Sequence, residues 1–191
     1  MVIVIGLAGI LLSGCDRLSV KKSMANETFE LLDQNGAEVQ FPDDYSGNVM
    51  LVGYVYTYCP DICPMITYNM RDIQRELPNE DEFMLVSLSF DPERDSPEIL
   101  YEYAENYNLD QENWRFLTGN TKEVDEALET LEIKTLKSPT SFTEDGRQQY
   151  FIDHTDRVTL IDKNGNVRNT YVGSKMNQEQ IISDIHKLLT E

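Results

Sequence analysis

The sequence predicts one α/β domain, on three observations. The residues from Val49 to Tyr56 are apolar or aromatic apart from Gly53, as in a central strand covered on both faces. A turn holding Cys59 and Cys63 follows at once, and Ile62, Ile66, Met70, Ile73 and Leu77 then recur at helical spacing as far as Pro78. Beyond Pro78, strand-like and helix-like stretches alternate, and a hairpin and a last helix close the chain, which is the order of a layered α/β fold. A cysteine-bearing helix directly behind the first central strand narrows the class to thioredoxin-like, with β-hairpins added.

In chain order, residues 1–14 are expected to be a lipoprotein-type signal segment, 15–25 a tether and 26–191 the folded domain. Met1 to Leu12 is apolar and ends in Leu12-Ser13-Gly14-Cys15. As a helix this run reaches only about 20 Å at roughly 1.5 Å per residue, short of the ~30 Å hydrocarbon core of a bilayer, so it reads as a secretory signal and not a span. Its ending resembles the bacterial lipoprotein signal, whose Cys becomes the lipidated N-terminus. Cys15 is therefore the expected lipid attachment, and the domain is expected on the extracytoplasmic side of a bacterial cell membrane. No Lys or Arg precedes the run, where such signals ordinarily carry one, which leaves room for a start further upstream. Asp16 to Asn26 is polar and reads as tether.

Phe29 to Phe41 reads as a β-hairpin, because Asn35-Gly36 readily supplies the positive φ angles of a tight turn. Phe83 to Phe90 is a second core strand, ended by Asp91-Pro92. Ser96-Pro97-Glu98 opens a helix with Leu100, Tyr103, Ala104 and Tyr107 inward. Trp114 to Leu117 is a short strand, and Asn120 with Glu123 makes a capping pair for a helix through Val124, Leu128 and Leu131. Lys134 to Gln149 is polar and is either a loop or a weak hairpin. Arg157 to Asp162 is a strand, Lys163 to Asn166 a turn and Val167 to Val172 the partner strand. Asn177 and Gln180 cap the last helix.

With 34 acidic against 16 basic residues and a net charge of −18, the chain is a poor ligand for nucleic acid, whose phosphates need clustered Lys and Arg. Of its three Cys, Cys15 belongs to the signal, which leaves Cys59 and Cys63 as a pair. Pro60 suits the first helical position. That places Cys59 and Cys63 four residues apart at a helix start, one above the other on one face. Unpaired N–H groups and the helix dipole favour thiolates there, which are nucleophiles and soft metal ligands. The plainer reading is a structural disulfide or two small buried side chains. Three residues separate the cysteines where thioredoxin-type oxidoreductases have two, and no proline precedes the Arg157–Asp162 strand; His154 stands there instead.

These segments resemble the Sco/SenC family of copper-binding assembly proteins. The resemblance rests on Tyr56-Thr57-Tyr58-Cys59-Pro60-Asp61-Ile62-Cys63-Pro64, on Ser89-Phe90-Asp91-Pro92-Glu93-Arg94-Asp95-Ser96-Pro97-Glu98, on Trp114-Arg115-Phe116-Leu117-Thr118-Gly119, and on Asp153-His154-Thr155 leading into Leu160-Ile161-Asp162. It implies a thioredoxin-like, membrane-anchored copper chaperone serving cytochrome c oxidase. Cys59, Cys63 and His154 would be its copper ligands and the oxidase subunit with the dinuclear copper site its partner, together with other copper chaperones or thiol reductants. Two thiolates and an imidazole suit Cu(I), and Cu(II) would admit a further oxygen ligand. Zinc is the competing metal, although structural zinc usually takes a fourth protein ligand. Asp61 and Asp153 flank the ligands as possible supporting partners. Met65 is expected to pack beside Ile66 and His186 to be solvated. The alternative is a thiol–disulfide oxidoreductase acting on the oxidase cysteines through a reversible Cys59–Cys63 disulfide, for which His154 has no evident use. Peroxide reduction at a single Cys is weaker still.

Overall fold

The structure, a computed structural model, describes residues 17–78, 80–143, 145–146 and 148–191. Its strands are β1 (Lys22–Ser23), β2 (Phe29–Asp33), β3 (Glu38–Phe41), β4 (Val49–Val55), β5 (Phe83–Ser89), β6 (Trp114–Thr118), β7 (Thr135–Lys137), β8 (Ser141–Phe142), β9 (Gln148–Gln149), β10 (Ile152–His154), β11 (Val158–Ile161) and β12 (Asn166–Tyr171). The helices are α1 (Ile62–Glu76), α2 (Pro97–Asn106), α3 (Thr121–Thr130) and α4 (Gln178–Leu189).

The central strand is apolar throughout because both its faces are covered. Val49 and Leu51 join a core with Ile66, Met70 and Ile73 of α1, Leu100 of α2 and Ile181, Ile185 and Leu188 of α4. Met50, Val52 and Tyr54 point the other way, with Val124 and Leu128 of α3 and with Phe29, Leu31 and Phe41 of the first hairpin. β4, β5 and β6 run parallel, with β11 antiparallel on the free side of β4. The whole sheet has eight strands in the order β1-β12-β11-β4-β5-β6-β2-β3. This is the expected thioredoxin-like layer with added hairpins.

The expected caps are present. Ser96, Asn120 and Asn177 accept from the backbone N–H of Ile99, Glu123 and Gln180. Glu123 does not reach back to complete a capping box; its carboxylate accepts from the N–H of Glu30 at 3.2 Å, fastening α3 to β2.

Two expectations need correction and a third is resolved. α1 starts at Ile62, not at Pro60, so Cys59 lies in the turn ahead of the helix and not one turn below Cys63 on it. The reason is local: Asp61 makes no side-chain cap, and the N–H of Cys63 donates to Cys59 Sγ at 3.4 Å, which requires that sulfur to stand off the helix end. Next, the stretch expected to be a tether is partly sheet. Lys22 and Ser23 pair with Val167 and Asn166, Met24 is fully buried, and Arg168 Nε donates to the Leu18 carbonyl at 2.9 Å. A two-residue strand shows no periodicity from which to read it. Within residues 134–149, β8 and β9 pair as the weak hairpin that is one of the two expected alternatives, and β7 pairs outside this stretch with β10.

Gly53 decides how closely α1 lies on β4. A Cβ there would stand 2.4 Å from Met70 Sδ and 3.3 Å from Ile66 Cγ2, two fully buried side chains. Gly53→Ala is expected to destabilise the fold by about 1–3 kcal/mol through overpacking, read as a lower urea midpoint at unchanged m-value. A midpoint equal to the parent's would show that the helix yields freely.

Candidate metal centre

The chain leaving β4 is held by a buried carboxylate. Asp95, fully buried between β5 and α2, accepts from Thr57 N–H at 3.2 Å, from Thr57 Oγ1 at 2.6 Å and from Ser89 Oγ at 2.6 Å. Burial outweighs these donors and raises its pKa to about 6. Thr57 is thereby fixed two residues ahead of Cys59, and the Cys59 N–H closes the turn on the Tyr56 carbonyl at 3.1 Å.

The two cysteines are free and unlike. Cys59 is half-buried in the turn, and Cys63 is fully buried at the second position of α1. The hydrogen bond with Cys63 is the largest influence on Cys59 and pushes its pKa down to about 4; His154 and the N–H groups of Asp61 and Cys63 act the same way, against burial. Cys63 is driven far up by the same hydrogen bond, then by burial and by the charge on Cys59, with the Asp95 carboxylate adding to it. The reduced pair is therefore one thiolate, Cys59, beside one thiol, Cys63.

His154 comes from a different part of the chain. It ends β10, which pairs only with β7 in a two-stranded ribbon outside the main sheet. Its Nδ1–H donates to the Thr155 carbonyl at 3.0 Å, since a carbonyl only accepts, which fixes the ring and leaves Nε2 turned toward the cysteines. Nε2 lies 3.9 Å from Cys63 Sγ. Phe90 packs against the imidazole, ring centroids 4.5 Å apart.

Cys59, Cys63 and His154 are thus brought together, yet among the described residues no three His, Cys, Asp or Glu side chains are already drawn into a metal-holding set. Asp61 and Asp153 are exposed. Asp61 reaches Cys59 through its backbone N–H and not through its carboxylate. The partner supporting His154 is the Thr155 carbonyl. Met65 is 41% exposed and not packed away. His186 is on the surface, 3.8 Å from Glu80. Cys15 and the signal segment lie outside the described residues. Asp95 and Phe90 were not singled out from sequence. A charged residue just ahead of a helix N-cap reads as surface, and nothing local marks it as the buried acceptor for a segment 38 positions earlier.

A thioredoxin-like domain whose dithiol turn faces an imidazole at the carboxyl end of the central strand defines a distinct class within that fold. The chain belongs to the SCO1/SenC family, whose pattern matches residues 19–190. It is 31% identical over 189 residues to a SCO1 protein homolog of Bacillus subtilis, covering 97% of this chain and 94% of that one. Among solved structures it resembles Bradyrhizobium japonicum ScoI with copper bound, at TM-score 0.72 and 27% identity over 84% of this chain and 97% of that one. It also resembles BsSco, a member of the Sco family of cytochrome c oxidase assembly proteins in which a disulfide switch was identified. That match has TM-score 0.72 and 29% identity over 92% of this chain and 99% of that one. Among the described residues no helix is long and apolar enough to cross a membrane.

Two measurements follow from the protonation pattern. Only the thiolate is alkylated, so the rate of iodoacetamide labelling at Cys59 should hold its plateau down to about pH 5 and halve near pH 4, with Cys63 labelled last. A shared midpoint near pH ~8.5 for both would contradict the split. Asp95 is raised above its unfolded value of about 3.9, so its stabilising contribution is complete below that value and is lost as pH rises through about 6. Relative to Asp95→Asn, the parent protein should therefore gain stability as pH falls from about 6 to about 4, measured by urea unfolding.

Proposed function

We propose that this protein is a membrane-anchored copper chaperone of the Sco type, which binds one copper through Cys59, Cys63 and His154 and passes it to the oxidase subunit with the dinuclear copper site. The observation that carries the reading is His154 Nε2 facing Cys63 Sγ at 3.9 Å, with Nδ1 tied to the Thr155 carbonyl, an arrangement that thiol exchange does not require. Two thiolates and an imidazole are a soft, low-coordinate set suited to Cu(I). Copper is the cargo, so a set that gathers only when the metal arrives, with a side left open, suits handing it on. The copper-bound ScoI relative supports the metal, and the oxidase-assembly role of the BsSco family supports the recipient. Anchoring would come through a lipid on Cys15, holding the domain outside the cytoplasm.

A second reading has its own observation. A low-pKa Cys59 beside a protonated Cys63 is the arrangement of an attacking and a resolving thiol. Cys59 would attack one sulfur of a partner's disulfide and release the other as a thiolate. Cys63, after losing its proton, would then attack Cys59 Sγ and expel the partner sulfur bonded to it, leaving a Cys59–Cys63 disulfide and a partner reduced by two electrons.

The reduced protein should take up one Cu(I) per chain in competition with a colorimetric chelator. Cys59→Ser or Cys63→Ser should abolish tight binding. His154→Ala should weaken it by about tenfold or more and impair oxidase maturation in cells. If His154→Ala leaves both copper binding and maturation unchanged while either Cys variant stops maturation, the oxidoreductase reading replaces the copper one.

A further inference from the structure

The two halves of the site come from segments that share no strand pairing. Cys59 and Cys63 belong to the β4–α1 turn, and His154 to a ribbon outside the main sheet. Phe90 spans them with its ring, 5.0 Å from Tyr56 and 4.5 Å from His154. The Tyr56 hydroxyl accepts from Ile152 N–H at 3.4 Å. One further side chain touches both halves, and it comes from a third segment.

Arg94 follows β5 and its side chain is only 14% exposed. Its guanidinium carbon lies 4.7 Å from the ring centre of Tyr58, the residue before Cys59, and 3.5 Å from that of Tyr150, four residues before His154. Asp91 fastens the group from below. Its carboxylate accepts from Arg94 Nε and, at 2.7 Å, from the Tyr150 hydroxyl, while the Asp91 N–H donates to Ser89 Oγ at 3.1 Å, the same hydroxyl that donates to Asp95. Arg94 Nη1 donates to the Tyr150 carbonyl at 3.3 Å, and Nη2 is buried with no hydrogen-bond partner among the described residues. The guanidinium is thus held over two rings and by separate hydrogen bonds from Nε and Nη1, a set of contacts an ammonium cannot copy.

We propose that Arg94 is a positioning residue: lying over Tyr58 and Tyr150, it ties the cysteine turn to the histidine strand and sets where His154 Nε2 stands relative to the two sulfurs. The inference deepens the copper reading and rests on it for its functional meaning, while its physical content is testable without metal. It also gives the charged stretch Asp91-Pro92-Glu93-Arg94-Asp95 a purpose. Asp95 fixes the turn, Arg94 fixes the turn to the strand, and Asp91 holds Arg94.

The test is amide hydrogen exchange in the reduced, metal-free protein, followed by Cu(I) competition and, on the Cu(II)-loaded protein, the nitrogen coupling in its electron paramagnetic resonance spectrum. In Arg94→Lys, exchange at Ile152, His154 and Thr155 should rise on the order of tenfold while β4 and α1 keep the parent's rates. Cu(I) affinity should fall on the order of tenfold, and the imidazole nitrogen coupling should weaken. Unchanged exchange at residues 152–155, or an equal rise across β4 and α1, overturns the proposal, the latter because it shows a general loss of stability. Should Arg94→Lys fail to fold, Tyr58→Ala removes one of the two rings at a side chain 60% exposed, and it should show the same local pattern, smaller in size. If the parent protein itself takes up no copper, the copper reading falls and the exchange result still decides the role of Arg94.

Discussion

Asp95 has no exposed surface, and its carboxylate answers three donors, two from Thr57 and one from Ser89. Left without donors, a buried carboxylate costs several kcal/mol, so the turn that leaves β4 is bound to the end of β5 along one path. Two properties of the site descend from this contact. The turn places Cys59 where its sulfur meets the N–H of Cys63 at the start of α1. The negative charge of Asp95 also adds to the influences that keep the Cys63 proton in place and leave the charge on Cys59. Asp95 thus sets the geometry of the dithiol and adds a small share to its protonation pattern, whose main causes are the Cys59–Cys63 hydrogen bond and burial.

What could be read from the sequence was what is written locally. The apolar run of β4, the helical stripe of α1 and the three N-caps each depend on neighbours within a few residues, and each is present in the structure. Cys59 and Cys63 stood out as two thiols at a strand-to-helix turn, and His154, a residue type at home in any loop, stood out through the Sco/SenC resemblance and its place ahead of a core strand. The supporting residues did not, since Asp95 and Asp91 act on partners 38 and 59 positions away. Two-residue β1 carries too little pattern to separate it from tether. The start of α1 was misplaced because Pro60 is a good first helical residue in isolation, and only the sulfur acting as acceptor for the helix end reveals why the helix waits until Ile62.

The three site residues are held with different stiffness. Cys63 is buried in a helix packed on the central strand at Gly53, so it has little room to move. Cys59 sits in a turn, and His154 ends a three-residue strand joined to one short neighbour.

The short strand β1 pairs with Asn166 and Val167, and the register places these level with Ile161 and Met50, near the beginning of the central strand. The sulfurs lie past the other end, on the order of 20 Å away at the rise of an extended chain. Arg168 fastens the Leu18 carbonyl at that same far pole. Any attachment through the residues ahead of Leu18 would therefore sit at the pole opposite the dithiol, leaving the dithiol turn on the far side of the domain.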